Sequence, residues 1–127
     1  MTFATAICCM DGRIQQPVLE YLAPRFDVKY IDNITHAGPV GLAPTTADSP
    51  VVESIFRLVE VSMRIHDSKG LAVVAHHDCA GNPVSESVQL EQLQAWIEKL
   101  DQTFPGIEII GLWLDKDFRV HEYTSRN

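Results

Sequence analysis

The sequence predicts an α/β fold: a mostly parallel sheet in the strand order 2-1-3-4, with an antiparallel edge strand and helices on both faces. Short apolar runs without a helical period alternate along the chain with segments whose apolar residues recur at helical spacing, an order typical of β-α-β units. The last two apolar runs are separated by a short polar turn, which indicates a hairpin. The chain has 127 residues, so we expect one domain that spans residues 1–127.

The first strand, the first helix and the second strand come early in the chain. Residues 4–9 form an apolar run without a helical period and predict a buried strand. Residues 17–23 carry three apolar side chains at helical spacing, which predicts a short helix that ends near Pro24. Residues 27–34 alternate apolar and polar side chains and predict a second strand.

The second helix begins with a clear signal. Ser49 is followed by Pro50; serine caps free backbone N–H groups, and proline suits the first helical position. We expect this helix to end at Gly70. One apolar stripe follows helical spacing: Val52, Ile55, Phe56, Val59 and Met63. Leu58, Val61 and Ile65 lie off that stripe. Apolar residues on a second side indicate cover by a partner subunit, so we expect a homodimer or a higher homo-oligomer.

The second half of the chain repeats the order of strand, helix and strand. Residues 71–75 predict a buried strand that leads into His76. Asn82 and Pro83 repeat the signal of a cap followed by proline, and the helix after them has one apolar stripe: Leu93, Trp96, Ile97, Leu100 and Phe104. Residues 107–114 predict a fourth strand, and residues 118–123 predict the antiparallel edge strand.

The predicted sheet has a switch point between its first and third strands. The order 2-1-3-4 results when the third strand lies beside the first, on the side away from the second. Ligands of open α/β sheets bind at such a point, beyond the carboxyl ends of the strands. The segments at those two ends are residues 9–13 and 76–79. Residues 35–50 form a long loop rich in glycine and proline, and such loops are often functional.

Composition excludes several classes of partner. Ten basic against seventeen acidic residues give a formal charge of −7, so we expect neither a nucleic acid nor an anionic membrane as partner. No apolar run is long enough to span a bilayer. No basic segment precedes an apolar stretch near Met1, which argues against a signal peptide and favours the cytoplasm.

The three cysteines are the most informative residues of the chain. In a reducing compartment, cysteines are often metal ligands or catalytic groups. His76 and Cys79 are spaced so that one turn at a strand end offers both side chains to one ion. Cys8 and Cys9 point to opposite faces of their strand, so only one can join. We predict a Zn²⁺ site at Cys9, His76 and Cys79, and we expect Cys8 to lie in the core.

Asp11 and Arg13 follow the first of these cysteines. Three protein ligands are typical of a catalytic zinc, which keeps one position open. Two thiolates already neutralise Zn²⁺, so Asp11 as a fourth ligand would make the site negative. We expect Asp11 to pair with Arg13 instead, in a bidentate contact, and to orient a zinc-bound water.

The pattern Cys9-x-Asp11-x-Arg13, followed by His76-x-x-Cys79, resembles the zinc signature of the β-class carbonic anhydrases. The resemblance extends over most of the chain. It implies that Cys9, His76 and Cys79 bind zinc and that Asp11 with Arg13 forms a catalytic dyad. It also implies a zinc lyase that hydrates carbon dioxide reversibly to bicarbonate through a zinc-bound hydroxide.

Two alternatives use the same residues. Relatives on this scaffold differ in pocket access, so a zinc hydrolase of carbonyl sulfide or carbon disulfide is the second hypothesis for an enzyme. The third hypothesis is a non-catalytic zinc-binding module in which Asp11 is a fourth ligand that closes the site.

Overall fold

Five strands and three helices make up the structure, a computed structural model that describes residues 1–45 and 49–126, of which 124–126 by backbone alone. The strands are β1 (Phe3–Cys9), β2 (Tyr30–His36), β3 (Leu71–His76), β4 (Ile109–Leu114) and β5 (Val120–Arg126). The helices are α1 (Gly12–Phe26), α2 (Pro50–Ile65) and α3 (Glu86–Thr103). A short 3-10 turn spans Pro39–Gly41 in the loop predicted at 35–50; residues 46–48 of that loop lie outside the described residues.

The five strands form one sheet in the order β2-β1-β3-β4-β5. All neighbouring pairs are parallel except β4 and β5, which are antiparallel. The predicted strand order and the predicted antiparallel edge strand are therefore confirmed. Because β1 lies between β2 and β3, the carboxyl ends of β1 and β3 are neighbours at one edge of the sheet.

Helices cover both faces of the sheet, as the sequence predicts. Helix α1 packs on one face through four buried residues, Ile14, Val18, Leu22 and Phe26. Helices α2 and α3 pack on the other face, where Trp96 is fully buried. The Trp96 indole N–H donates to the carbonyl of Leu42 at 2.9 Å. This bond ties the loop after β2 to α3 and satisfies a buried donor.

Helix α1 is longer than the predicted segment 17–23, which is wrong at both ends. It begins after Asp11, whose side chain accepts a hydrogen bond from the Arg13 backbone N–H at 2.9 Å. Pro17 and Pro24 both lie inside the helix rather than at its ends. Proline removes one backbone bond to the carbonyl four residues earlier. Those carbonyls belong to Arg13 and Glu20, two residues on the exposed side of the helix.

The start of α2 is confirmed, and its predicted end is wrong. Ser49 accepts a hydrogen bond from the Val52 backbone N–H at 3.2 Å, which is the expected cap. The helix ends at Ile65 rather than at Gly70. Asp67 has a left-handed backbone conformation, with φ of 51°, and a helix cannot continue through such a residue.

Helix α3 does not begin at Asn82 and Pro83. Ser85 is its cap and accepts a hydrogen bond from the Val88 backbone N–H, while Asn82 is buried in the preceding loop. Strand β2 begins at Tyr30, because Asp27 ends α1 in a left-handed conformation. Strands β4 and β5 begin later than predicted, at Ile109 and Val120.

A polar cluster lies between β1 and the C-terminal end of α2. The buried Thr5 hydroxyl contacts the hydroxyl groups of Ser62 at 2.6 Å and Ser68 at 2.7 Å. Ser62 donates to a carboxylate oxygen of Asp32, which also contacts the His66 ring at 2.6 Å. The buried hydroxyl groups are therefore paired, which explains a serine on the buried side of α2.

Helix α2 presents a second apolar side to solvent. Leu58 is 48% exposed, Val61 is 48% exposed and Ile65 is 74% exposed. These three residues are the ones that the sequence places off the buried stripe. Within the part of the chain that the structure describes, no helix combines the length and the apolar character needed to cross a membrane.

The close approach of Gly70 to the Phe26 ring gives a test of the fold. A methyl group at position 70 would overlap that ring, so we expect Gly70→Ala to destabilise the protein by about 1–3 kcal/mol. Gly12→Ala is the matched control, because no described atom lies within 4 Å of the added methyl group, and its effect should be about 0.5 kcal/mol or less. Chemical unfolding measures both. Equal stability of the two variants would contradict this packing.

Candidate metal centre

Three buried side chains converge at the carboxyl ends of β1 and β3. Cys9 is the last residue of β1, His76 is the last residue of β3, and Cys79 lies in the turn that follows. Their potential ligand atoms all lie within 4.8 Å of one another, and the two sulfur atoms are 3.8 Å apart. Each residue is 5% exposed or less. The structure thus brings together the three side chains that the sequence singles out.

The His76 ring is arranged as a metal ligand would be. Its Nδ1 lies 2.7 Å from the carbonyl oxygen of His77, which requires the proton on Nδ1. Its Nε2 is buried and has no hydrogen-bond partner among the described residues. A buried acceptor without a partner is costly. A cation beside the two sulfur atoms would satisfy it, and two thiols with one imidazole are a donor set typical of zinc.

Backbone groups surround the two sulfur atoms. The N–H of Gly38 donates to Cys9 Sγ at 3.4 Å. Burial raises the pKa of Cys79, and the nearby Cys9 raises it further, while the backbone of Gly81 and Asn82 lowers it. The Cys79 thiol therefore ionises less readily than a free thiol, and a bound cation would favour its ionised form.

Gly38 is a residue of the site that the sequence does not single out. It has a left-handed conformation with φ of +57°, and a Cβ atom there would lie 2.6 Å from the backbone carbon of Gly81. Only glycine allows this loop to approach the turn after Cys79 so closely. The two glycines are visible in the sequence, but their contact depends on the tertiary fold.

Asp11 and Arg13 form a tight ion pair next to the candidate ligand Cys9 in the chain. The Arg13 guanidinium donates from Nη2 at 2.7 Å and from Nε at 3.1 Å to the two carboxylate oxygens. These bonds from Arg13 hold the pKa of Asp11 at about 2. Among the described residues, the group of converging ligand atoms consists of Cys9, His76 and Cys79, without Asp11.

Arg13 also connects the two sequence motifs. Its Nη2 donates to the Asp78 carbonyl at 3.2 Å, and its Nη1 lies 3.4 Å from the Asp78 carboxylate. The Phe118 ring lies 5.1 Å from the guanidinium carbon, a cation–π distance. Asp78 takes a left-handed conformation within the turn from His76 to Cys79. The guanidinium therefore contacts Asp11, Asp78 and Phe118. Because its position is restricted by Asp78 and Phe118, the position of the Asp11 carboxylate that it binds is restricted too.

The remaining cysteine and histidines lie outside the converging group. Cys8 is fully buried, as expected for a core residue, and its thiol donates to Asn33 at 2.8 Å. Burial raises the pKa of Cys8 to about 12. His77 is exposed, and His36 lines a surface cavity against α2.

Comparisons with known proteins agree on one family. The family described as "Putative carbonic anhydrase" matches residues 1–124. No curated protein matches the sequence. Among solved structures, the chain is similar in fold to a tetrameric β-carbonic anhydrase of Sordaria macrospora, with a TM-score of 0.64 and 11% identity over 98% of this chain and 82% of that chain. It is also similar to the β-carbonic anhydrase CcaA, with a TM-score of 0.61 and 14% identity over 98% and 81%.

The ion pair gives a test that needs no assumption about activity. We expect Arg13→Ala to raise the pKa of Asp11 from about 2 toward its ordinary value of 3.8, because the largest cause of the shift is removed. Arg25→Ala is the control, since Arg25 contacts Glu108 and Glu122 instead. A carboxyl-carbon NMR titration measures the change. An Asp11 pKa that is equal in both variants would contradict the pairing.

Proposed function

The chain belongs to the β-class carbonic anhydrase family, and from that premise we propose that it is a zinc lyase that hydrates carbon dioxide reversibly to bicarbonate. The family match extends over residues 1–124, and the sheet order and helices are those of the fold. We further propose that the reaction takes place in the cytoplasm, where thiols remain reduced and available to a metal.

We propose that Cys9, His76 and Cys79 hold the zinc ion. Support comes from the convergence of their ligand atoms and from the buried His76 Nε2 that lacks a partner among the described residues. Zinc in such a site acts as a Lewis acid that makes water a nucleophile near neutral pH.

The proposal of catalysis rests on the position of Asp11. Its carboxylate is bound by Arg13 and stands outside the group of converging ligands. Three protein ligands are typical of a catalytic zinc, whereas four are typical of a structural one. The low pKa of Asp11 keeps the carboxylate ionised throughout the physiological range. Its oxygens can therefore accept a hydrogen bond from the reacting water and orient it toward the carbon of the substrate.

We also propose that the protein is a homo-oligomer in which α2 contacts a second copy. Leu58, Val61 and Ile65 form an exposed apolar side of this helix, and burial of such a side is favourable. The Sordaria macrospora structure is of a tetrameric enzyme. The structure forms helix α2 over Pro50–Ile65, and these three side chains lie on its solvent-exposed side.

The proposed activity predicts one zinc ion per chain and hydration of carbon dioxide that depends on Asp11. We expect Asp11→Asn to retain zinc and to lower the hydration rate by about 10²–10⁴-fold, because the neutral amide is a weaker hydrogen-bond acceptor for the reacting water than the carboxylate is. The exposed Asp117→Asn serves as the control for loss of one negative charge and should match the wild type. Elemental analysis and stopped-flow hydration measure the two quantities.

Three results would redirect the proposal. Full activity of Asp11→Asn would exclude a catalytic role for this carboxylate. Zinc without hydration of carbon dioxide, but with turnover of carbonyl sulfide or carbon disulfide, would identify a hydrolase. Zinc without turnover of any of these molecules would identify a non-catalytic module.

The proposed assembly predicts a specific effect of charge on α2. Sedimentation at micromolar concentration should show a dimer or larger species for the wild type and a monomer for Leu58→Asp, because a charge within the contact is desolvated without a partner. Leu19→Asp is the control, since Leu19 is also a partly exposed leucine but lies on α1. A monomeric wild type would contradict the assembly, and an unchanged Leu58→Asp variant would contradict the choice of surface.

A further inference from the structure

The side chain of Gln15 folds back over the turn that joins β1 to α1. Its Nε2 donates to the carbonyl of Cys9 at 2.9 Å and to the carbonyl of Asp11 at 2.8 Å. Gln15 lies in the first turns of α1, so its amide reaches the residues that precede its own helix. One side chain thus binds the backbone of a proposed metal ligand and the backbone of the proposed catalytic carboxylate.

Two further residues fix the orientation of the Gln15 amide. Asn33 Nδ2 donates to Gln15 Oε1 at 2.7 Å, and the Cys8 thiol donates to Asn33 Oδ1 at 2.8 Å. The two ends fix the direction of every bond in this series, because the thiol at one end donates and the two carbonyls at the other end accept. Each amide between them accepts through its oxygen and donates from its nitrogen. Rotation of the Gln15 amide by half a turn would place donor against donor at Asn33. The series therefore holds the amide in one orientation.

The turn under Gln15 determines the relative positions of two functional groups. Only Met10 separates Cys9 from Asp11, and the Met10 backbone N–H is bound to the His36 carbonyl at 2.9 Å. The direction of each side chain depends on the rotation of the peptide groups that flank its Cα atom. Gln15 holds the carbonyls of both residues. Loss of its two bonds would let the Cys9 sulfur and the Asp11 carboxylate move relative to each other.

We propose that Gln15, oriented by Asn33, is a positioning residue of the metal centre. It acts through the backbone of Cys9 and Asp11, without contact to the substrate. This inference rests on the proposed zinc site, and it extends the set of important residues beyond the two sequence motifs. Groups that orient metal ligands typically change metal affinity or activity about 10–100-fold when they are removed.

A matched pair of variants tests this role. Gln15→Met keeps the length of the side chain and its helix propensity but removes both donors. Gln16→Met makes the same change at the next residue, whose amide bonds to Glu20 on the helix surface. We expect Gln15→Met to weaken zinc binding about 10–100-fold in competition with a chelator and to shift the absorption bands of the cobalt-substituted protein. Gln16→Met should match the wild type in both measurements.

A substitution at Asn33 gives a second test of the same series of hydrogen bonds. Asn33→Ala should reproduce part of the loss, and the double variant Gln15→Met with Asn33→Ala should be no worse than Gln15→Met alone, because both changes break one series of bonds. Thermal unfolding of each variant reports any general loss of stability. Wild-type zinc affinity and an unchanged cobalt spectrum in Gln15→Met would overturn the proposal, whatever the melting temperature.

The readouts separate this inference from the proposed activity. A wild-type protein that binds zinc but does not hydrate carbon dioxide would disprove the activity, while zinc affinity and the cobalt spectrum would still decide the role of Gln15. Reduced hydration in Gln15→Met with unaltered metal binding and spectrum would overturn the positioning role and leave the activity in place. A wild-type protein that takes up no zinc would overturn both.

Discussion

The parallel pairing of β1 with β3 is the constraint on which the rest of the site depends. Thr5, Ala6 and Ile7 align with residues 71–73, so the two strands end at the same edge of the sheet. This register brings Cys9 close to His76, although they are far apart in the sequence. The turns after both strands are then held together by Arg13, which contacts Asp11 and Asp78. A shift of register by one residue would move every side chain of a strand to the opposite face.

Electrostatics at this edge of the sheet would couple folding to a bound metal ion. The Cys79 sulfur lies 3.8 Å from the Cys9 sulfur, and burial together with the nearby Cys9 raises the pKa of Cys79. A cation bound there would reverse that balance, and its binding free energy would add to the stability of the fold. The carboxylate of Asp11 avoids the same problem because Arg13 neutralises it. The guanidinium thus neutralises the carboxylate, and a metal ion would neutralise the thiolates.

Much of the fold could be predicted from the sequence, because strand runs and helical stripes report burial directly. The convergence of Cys9, His76 and Cys79 could also be predicted, since all three lie at or just after strand ends. The ends of α1 were not, because Pro17 and Pro24 look like helix boundaries but lie inside the helix. Gly38 and Gln15 were missed for a different reason: the Gly38 bond to Cys9 and the Asn33 bond that orients Gln15 join residues far apart in the sequence, and no local pattern encodes them.

The bond between the Trp96 indole and the Leu42 carbonyl has an optical consequence. The same loop reaches the candidate metal centre, since Gly38 donates to Cys9 only a few residues earlier. Indole emission depends on the polarity and hydrogen bonding around the ring nitrogen. A disturbance at Cys9 that displaces this loop therefore alters the surroundings of a tryptophan, which makes the protein's own fluorescence a reporter of the state of the centre.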